Sequence, residues 1–272
     1  NLHKVWVPTA FHVRTFTEGG VEPAKLRVLG EPVDTAFFDP AAIAEPLTLV
    51  QLGLSMLPPA GAGAVRPFVF LSVFKWEERK AWDVLLTAYY RAFAAGRNAW
   101  PVALVILTNA YHDDGADFDS QVAALARQVT GREPPELPPV RLLSRVPQSL
   151  MPALYDSANA FVLPSRGEGW GRPHVEAMSM ALPVLATNWS GPTEYMNDEN
   201  AYPIAIDGLV EVKTGAFRGH LWAEPSVEHL VRLMRHVREN PAEAAARGAR
   251  ARADMVRRYS PARVAEDLAR LL

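Results

Sequence analysis

The stretch Pro164-Ser165-Arg166-Gly167-Glu168-Gly169-Trp170-Gly171-Arg172-Pro173-His174-Val175-Glu176-Ala177-Met178 decides the fold. It follows Ala160-Phe161-Val162-Leu163, a short apolar run rich in branched and aromatic residues, the pattern of a buried strand. A loop then opens a helix. Gly167, Gly169 and Gly171 let the loop backbone approach a ligand closely, and Pro173 suits the first helical position, where no N–H is needed. The residue before it is Arg172 rather than Ser, Thr, Asp or Asn, so no side chain caps the first free N–H groups and they stay available to an anion. Glu168 in the loop and Glu176 on the first helical turn, with seven residues between them, can face one crevice.

Outward from this stretch the chain alternates strands and helices. Phe68 to Val73 reads as a strand, Ala81 to Ala95 as an amphipathic helix, Val102 to Leu107 as a strand and Gln121 to Val129 as a helix. Strand Val140 to Leu143, helix Leu150 to Ser157, strand Phe161 to Leu163, helix Pro173 to Met180 and strand Pro183 to Ala186 follow. Such alternation predicts an α/β domain, a parallel sheet with helices on both faces, with ligands at the C-terminal ends of the strands. A polar loop is expected up to Gly219, then helices over about 225–239, 241–258 and 261–271. The N-terminal residues give a short strand over Lys4 to Pro8, a helix from Thr9 to Gly19 and a second strand at 25–29. Residues 41–67, with Pro46, Pro58, Pro59, Pro67 and an Ala/Gly run at 60–64, read as a linker or loop.

Composition narrows the function. A chain of 272 residues, 49% hydrophobic and 21% charged, can bury a large core. Its net charge of -2 and the lack of a dense basic run argue against a nucleic-acid partner. Without cysteine there is no disulfide or thiolate metal site, which is compatible with a reducing, cytoplasmic setting. No apolar stretch approaches the ~20 residues of a membrane span. No signal peptide is visible, and a first residue other than Met suggests a fragment of a longer chain. No histidines have metal-ligand spacing, and His112-Asp113-Asp114 reads as a polar loop. The glycine triplet follows a late strand rather than opening the first βα unit, so it is a weak signal for a nicotinamide-dependent oxidoreductase.

The pattern Pro-Ser-x-x-Glu-Gly-x-Gly, with Glu176-Ala177-Met178 completing a Glu, seven residues, Glu frame, resembles the sugar-nucleotide signature of retaining glycosyltransferases of family 4 with the GT-B fold. The similarity continues through Ala181 to Thr187 into Ser190-Gly191-Pro192-Thr193-Glu194-Tyr195. The resemblance implies the C-terminal, Rossmann-like donor-binding domain over 68–272, preceded by residues 1–40 as the end of an N-terminal domain and its crossover. Most of the acceptor site would then lie outside this chain. It implies a nucleotide-diphosphate sugar donor, an acceptor hydroxyl of unidentified nature, retention of configuration, and no metal or other cofactor.

By the same resemblance, Lys75 and Lys80 take the positions of an Arg and a Lys that grip the donor diphosphate. Lys75 departs from the usual Arg, and Ala81 from the usual Gly. Glu168 would hold sugar hydroxyls and Glu176 the ribose, since a carboxylate accepts from two neighbouring hydroxyls. The N–H groups of Gly169, Trp170 and Gly171 are candidate sugar or phosphate contacts, while Trp170 equally suits packed aromatic filler. Arg145 and Val146 fall where the nucleotide base would pass, and Glu194 is a candidate donor contact or a structural residue. The departures at positions 75 and 81, with the Pro-rich segment, leave open a non-catalytic module within a larger assembly.

Overall fold

The computed structural model describes residues 3–48, 50–54, 67–94, 102–110, 117–213 and 215–272. The first elements are β1 (Val5–Val7), α1 (Ala10–Glu18) and β2 (Leu26–Val28), a βαβ unit whose two strands pair in parallel. Then come β3 (Phe68–Trp76), α2 (Trp82–Phe93), β4 (Val102–Ala110), α3 (Phe118–Thr130), β5 (Val140–Leu143), α4 (Met151–Asp156), β6 (Ala160–Leu163), α5 (Arg172–Ser179), β7 (Val184–Thr187) and β8 (Tyr202–Ile204). A hairpin, β9 (Ile206–Glu211) and β10 (Leu221–Pro225), precedes α6 (Val227–Glu239), α7 (Pro241–Tyr259) and α8 (Pro261–Leu271).

β3 to β8 form one parallel sheet of order β5-β4-β3-β6-β7-β8. The chain winds outward from β3 to one edge and then returns to the middle, so β3 and β6 are neighbours although 83 residues separate Trp76 from Ala160. At such a reversal the loops leaving the two central strands diverge and open a crevice, where doubly wound folds bind ligands. The sheet is covered on both faces, and every residue of β6 and β7 is buried.

Two expectations change. β3 runs to Trp76, three residues beyond the predicted strand, because Phe74 and Trp76 pack inward and β4 pairs with it throughout. Lys75 therefore projects from the strand's last residues rather than from a loop. Tyr202–Ile204, read only as leading into a polar loop, is the sixth strand, and that loop contains the β9–β10 hairpin; strands of three to six residues, β9 with five of its six residues exposed, carry little hydrophobic periodicity. In the described part of the 41–67 segment most side chains are exposed, while Leu52 and Leu54 are each 1% exposed and Arg141 Nε donates to Gly53 O at 2.7 Å. Residues 49 and 55–66 lie outside the described residues.

The segment before it is also anchored. Val33 N donates to Tyr259 O at 2.9 Å, Phe38 lies edge-on against Tyr155, and Arg252 pairs with Asp39 at 2.8 Å. At the far end, Lys4 Nζ donates to Leu271 O at 2.7 Å, so α8 folds back to the first βαβ unit.

Candidate active site

The loops leaving β3 and β6 meet at the reversal in the sheet. After β3 a 3-10 turn, Glu78–Lys80, ends on Ala81 at φ 51, ψ 44. This left-handed conformation suits Gly and costs Ala about 1 kcal/mol; it turns the chain into α2 and points Lys80 across to the other loop. There Glu168 receives it, with Lys80 Nζ 2.6 Å from Oε1. Arg79 takes the other carboxylate oxygen, Nη1 to Oε2 at 3.2 Å, and also donates to Gly167 O at 2.6 Å. Burial disfavours ionisation of Glu168, but Lys80 and the other positive groups around it outweigh burial and hold its carboxyl below the usual range.

The β6 loop is clamped on two sides. Arg166 N donates to Arg79 O at 2.7 Å on one, while Glu168 N donates to Ser190 Oγ at 2.9 Å and Gly191 N to Glu168 O at 3.0 Å on the other. The buried Arg166 guanidinium is fastened to Asp83 at 2.9 Å, to Glu224 at 3.1 Å and to Glu78 O at 2.7 Å. It ties the loop to the start of α2 and to β10. Burial works against its charge, but the two carboxylates more than offset that and hold its pKa above the ordinary arginine value.

A cleft of about 680 Å³ opens over the strand ends. Lys75, Lys80, Arg145, Val146 and Pro173 line it, with Glu77, Arg79, Thr108 and Asn109 among their neighbours. The structure thus gathers both predicted lysines, the predicted base-side pair and the start of α5 into one concavity. α5 begins after Gly171, at φ 92, with no side-chain cap; the N–H groups of Gly169, Trp170 and Gly171 make no hydrogen bond among the described residues. Cations and open helical donors are the equipment for an anion.

The remaining predicted residues sit elsewhere. Glu176 is largely buried and accepts a hydrogen bond from Tyr155 Oη at 2.9 Å; burial raises its pKa while that bond and Arg172 pull it down. It does not line the cleft. The Trp170 ring is packed filler, 3% exposed and edge-on to Tyr195 and Tyr259. Glu194 lies away from the cleft and accepts from Ala10 N at 2.8 Å, stabilising the start of α1. Sequence reasoning missed Arg79, Arg166 and Tyr155, although Arg166 is in the signature itself and Arg79 directly precedes Lys80. Among the described residues no group of three or more His, Asp or Glu side chains is arranged to hold a metal ion, and no helix is long and apolar enough to cross a membrane.

An all-parallel sheet with a cationic cleft at its reversal defines a Rossmann-like domain, and known structures share it. A glycosyltransferase from Rickettsia africae superposes with a TM-score of 0.71 at 16% identity, covering 98% of this chain and 62% of that one. HepE from Anabaena, solved with UDP and glucose, gives 0.71 at 15% identity, covering 99% and 62%. Residues 66–216 match the family of glycosyl transferases group 1, more than half of the chain, and the protein belongs to that family. The O-antigen chain mannosyltransferase B of Escherichia coli is 34% identical over 87 residues, 31% of this chain and 23% of that protein. The chain therefore spans less than two thirds of these relatives.

Proposed function

We propose that the protein transfers a sugar from a nucleotide-diphosphate donor to an acceptor hydroxyl, with retention of configuration and without a metal, in the manner of family 4. The observation that carries this reading is the cleft in which Lys75, Lys80 and Arg145 converge on the uncapped start of α5 at Pro173. When the donor breaks, negative charge grows on the departing diphosphate, and preorganised cations and helix N–H groups stabilise that charge as it forms. Glu168, held by two cations, positions the sugar over it, and Glu176 takes the ribose.

The acceptor would be held largely by an N-terminal domain of which residues 1–40 are the end. The β1–α1–β2 unit supports this: Trp6 and Val28 on the strands and Phe16 on α1 are each about two-fifths exposed, and a two-stranded sheet is too small to stand alone.

Calorimetry with uridine and guanosine diphosphates, then with their sugar conjugates, tests the reading. Binding that is lost in Lys80→Ala supports it, and absence of binding by either diphosphate overturns it. The anomeric configuration of the product, followed by NMR, tests retention, and a chelator that abolishes transfer would exclude the metal-free route. A second reading, a non-catalytic module in a larger assembly, draws on the complete pairing of Glu168 by Lys80 and Arg79. Donor binding with neither hydrolysis nor transfer in the full-length protein would favour it.

A further inference from the structure

We propose that Arg79 is a positioning residue that keeps Glu168 charged and in place while Lys80 turns to the donor's pyrophosphate. The inference rests on the donor reading of the cleft and adds to it a division of labour between two adjacent cations. Both hold the same carboxylate, Lys80 on Oε1 and Arg79 on Oε2, and the Glu168 side chain is only 8% exposed. Both also line the cleft.

The two cations are not equivalent. Lys80 is a point charge on a flexible stem, held by one ion pair, and can swing. Arg79 is fixed at three places: Nη1 on Gly167 O at 2.6 Å and on Glu168 Oε2 at 3.2 Å, and Nη2 on Glu77 Oε1 at 2.6 Å. Its own carbonyl accepts from Arg166 N, so its backbone is locked to the same loop. A planar fork tied in this way cannot follow a phosphate.

The charge balance requires such a partner. If Lys80 alone faced Glu168, its move to a pyrophosphate would strand a buried carboxylate, and donor binding would carry that cost. With Arg79 in place, Glu168 keeps a cation and stays ionised. Counting Glu168 and the charged residues lining the cleft, four cations (Lys75, Arg79, Lys80, Arg145) meet two acids (Glu77, Glu168), leaving an excess of two positive charges for a dianionic pyrophosphate diester. The other titratable groups facing Glu168 are His174 from α5 and Tyr195, which burial keeps uncharged at neutral pH.

Without Arg79, donor binding would strip Glu168 of both cations, and the carboxylate would take up a proton instead. Arg79→Met and Arg79→Lys are compared with the wild type at pH 7, using UDP and GDP and their sugar conjugates, by calorimetry in buffers of different ionisation enthalpy. The expected result is a tenfold or greater loss of affinity in Arg79→Met with uptake of up to one proton per donor bound, against none in the wild type. Arg79→Lys, a point charge that cannot span acceptors spread over both nitrogens of a planar fork, falls between. If Arg79→Met does not fold, Arg79→Lys carries the comparison alone, since it keeps the charge. Affinity within twofold of the wild type and no proton uptake in the folded variant would overturn the role of Arg79. Failure of the wild type to bind any of these ligands would instead overturn the donor reading itself.

Discussion

Lys80 Nζ and Glu168 Oε1 lie 2.6 Å apart across the reversal of the sheet, joining the loop after β3 to the loop after β6. The two residues are 88 positions apart in sequence, and the strand order alone brings them together. The pair is nearly enclosed by protein, so its charges act with little screening by solvent. On the proposed donor reading, replacing Lys80 by Ala removes one preorganised cation from the departing diphosphate and should cost about 2–4 kcal/mol of transition-state stabilisation. Single-turnover transfer or donor hydrolysis measures it; an unchanged rate would remove Lys80 from the chemistry.

Tyr155 prepares Glu176. Its buried hydroxyl donates to Oε2 at 2.9 Å and so fixes the carboxylate's orientation. Tyr155→Phe keeps the ring packing and removes about 1 kcal/mol of hydrogen bonding. If Glu176 holds the ribose, the donor's dissociation constant should rise several-fold while the diphosphate-dependent rate of the bound complex stays near wild type. Equal donor affinity in the two proteins would place Glu176 outside the nucleoside site.

Gly191 backs the loop that follows β6. A methyl group there would overlap the carbonyl of Gly169 and come within 2.8 Å of Glu168 O, and both obstacles are backbone. Gly191→Ala must push the loop toward the cleft, at a cost of about 1–3 kcal/mol typical of overpacking. Gly169→Ala, where an added methyl meets nothing within 4 Å, should leave the melting temperature unchanged and serves as the stability control. Melting curves compare the two; equal melting temperatures would mean that the loop yields freely.

The parallel sheet was legible because its central strands are fully buried and read as unbroken apolar runs, as Ala160–Leu163 does. The loop and the helix start were legible because glycine and proline leave marks that local chemistry explains, whereas the single crevice expected for both acids was not, since Glu176 lies off the cleft against Tyr155. What stayed hidden depends on packing between distant segments. Nothing near Trp170 says that Gly30 and Tyr259 close over its ring, and nothing near Glu194 says that its carboxylate meets Ala10 N. Arg79 stands in a run of acidic and basic residues, and only the fold shows it tied to a loop 88 residues away. Ala81 looked like a departure that limits close approach, yet the chain adopts the left-handed turn there with Ala in place.

His174 supplies a test by pH. It is fully buried on the first turn of α5, edge-on to Phe161, and neither ring nitrogen makes a hydrogen bond of ordinary geometry, although the backbone of Leu163 and Gly171 lies close. Burial dominates and pushes its pKa down to about 4, against partial opposition from Glu168. An unfolded chain binds that proton near pH 6.5 and the folded protein does not until about 4, so stability falls as pH drops through this window. By pH 5 the loss from this group alone should be about 2 kcal/mol relative to pH 7. Glu168 acts lower: with its folded pKa depressed, its contribution is present above the ordinary carboxylate range and disappears only as pH falls through that lower value. His12 and His229 are also shifted down by burial and add to the same window, so the comparison must be with a variant. His174→Leu removes the site, and denaturant unfolding at pH 7 and pH 5 should show a shallower fall for it than for wild type. Parallel falls in the two proteins would mean that the His174 ring is already hydrated or charged at neutral pH, and that the interior beside Glu168 is wet rather than closed.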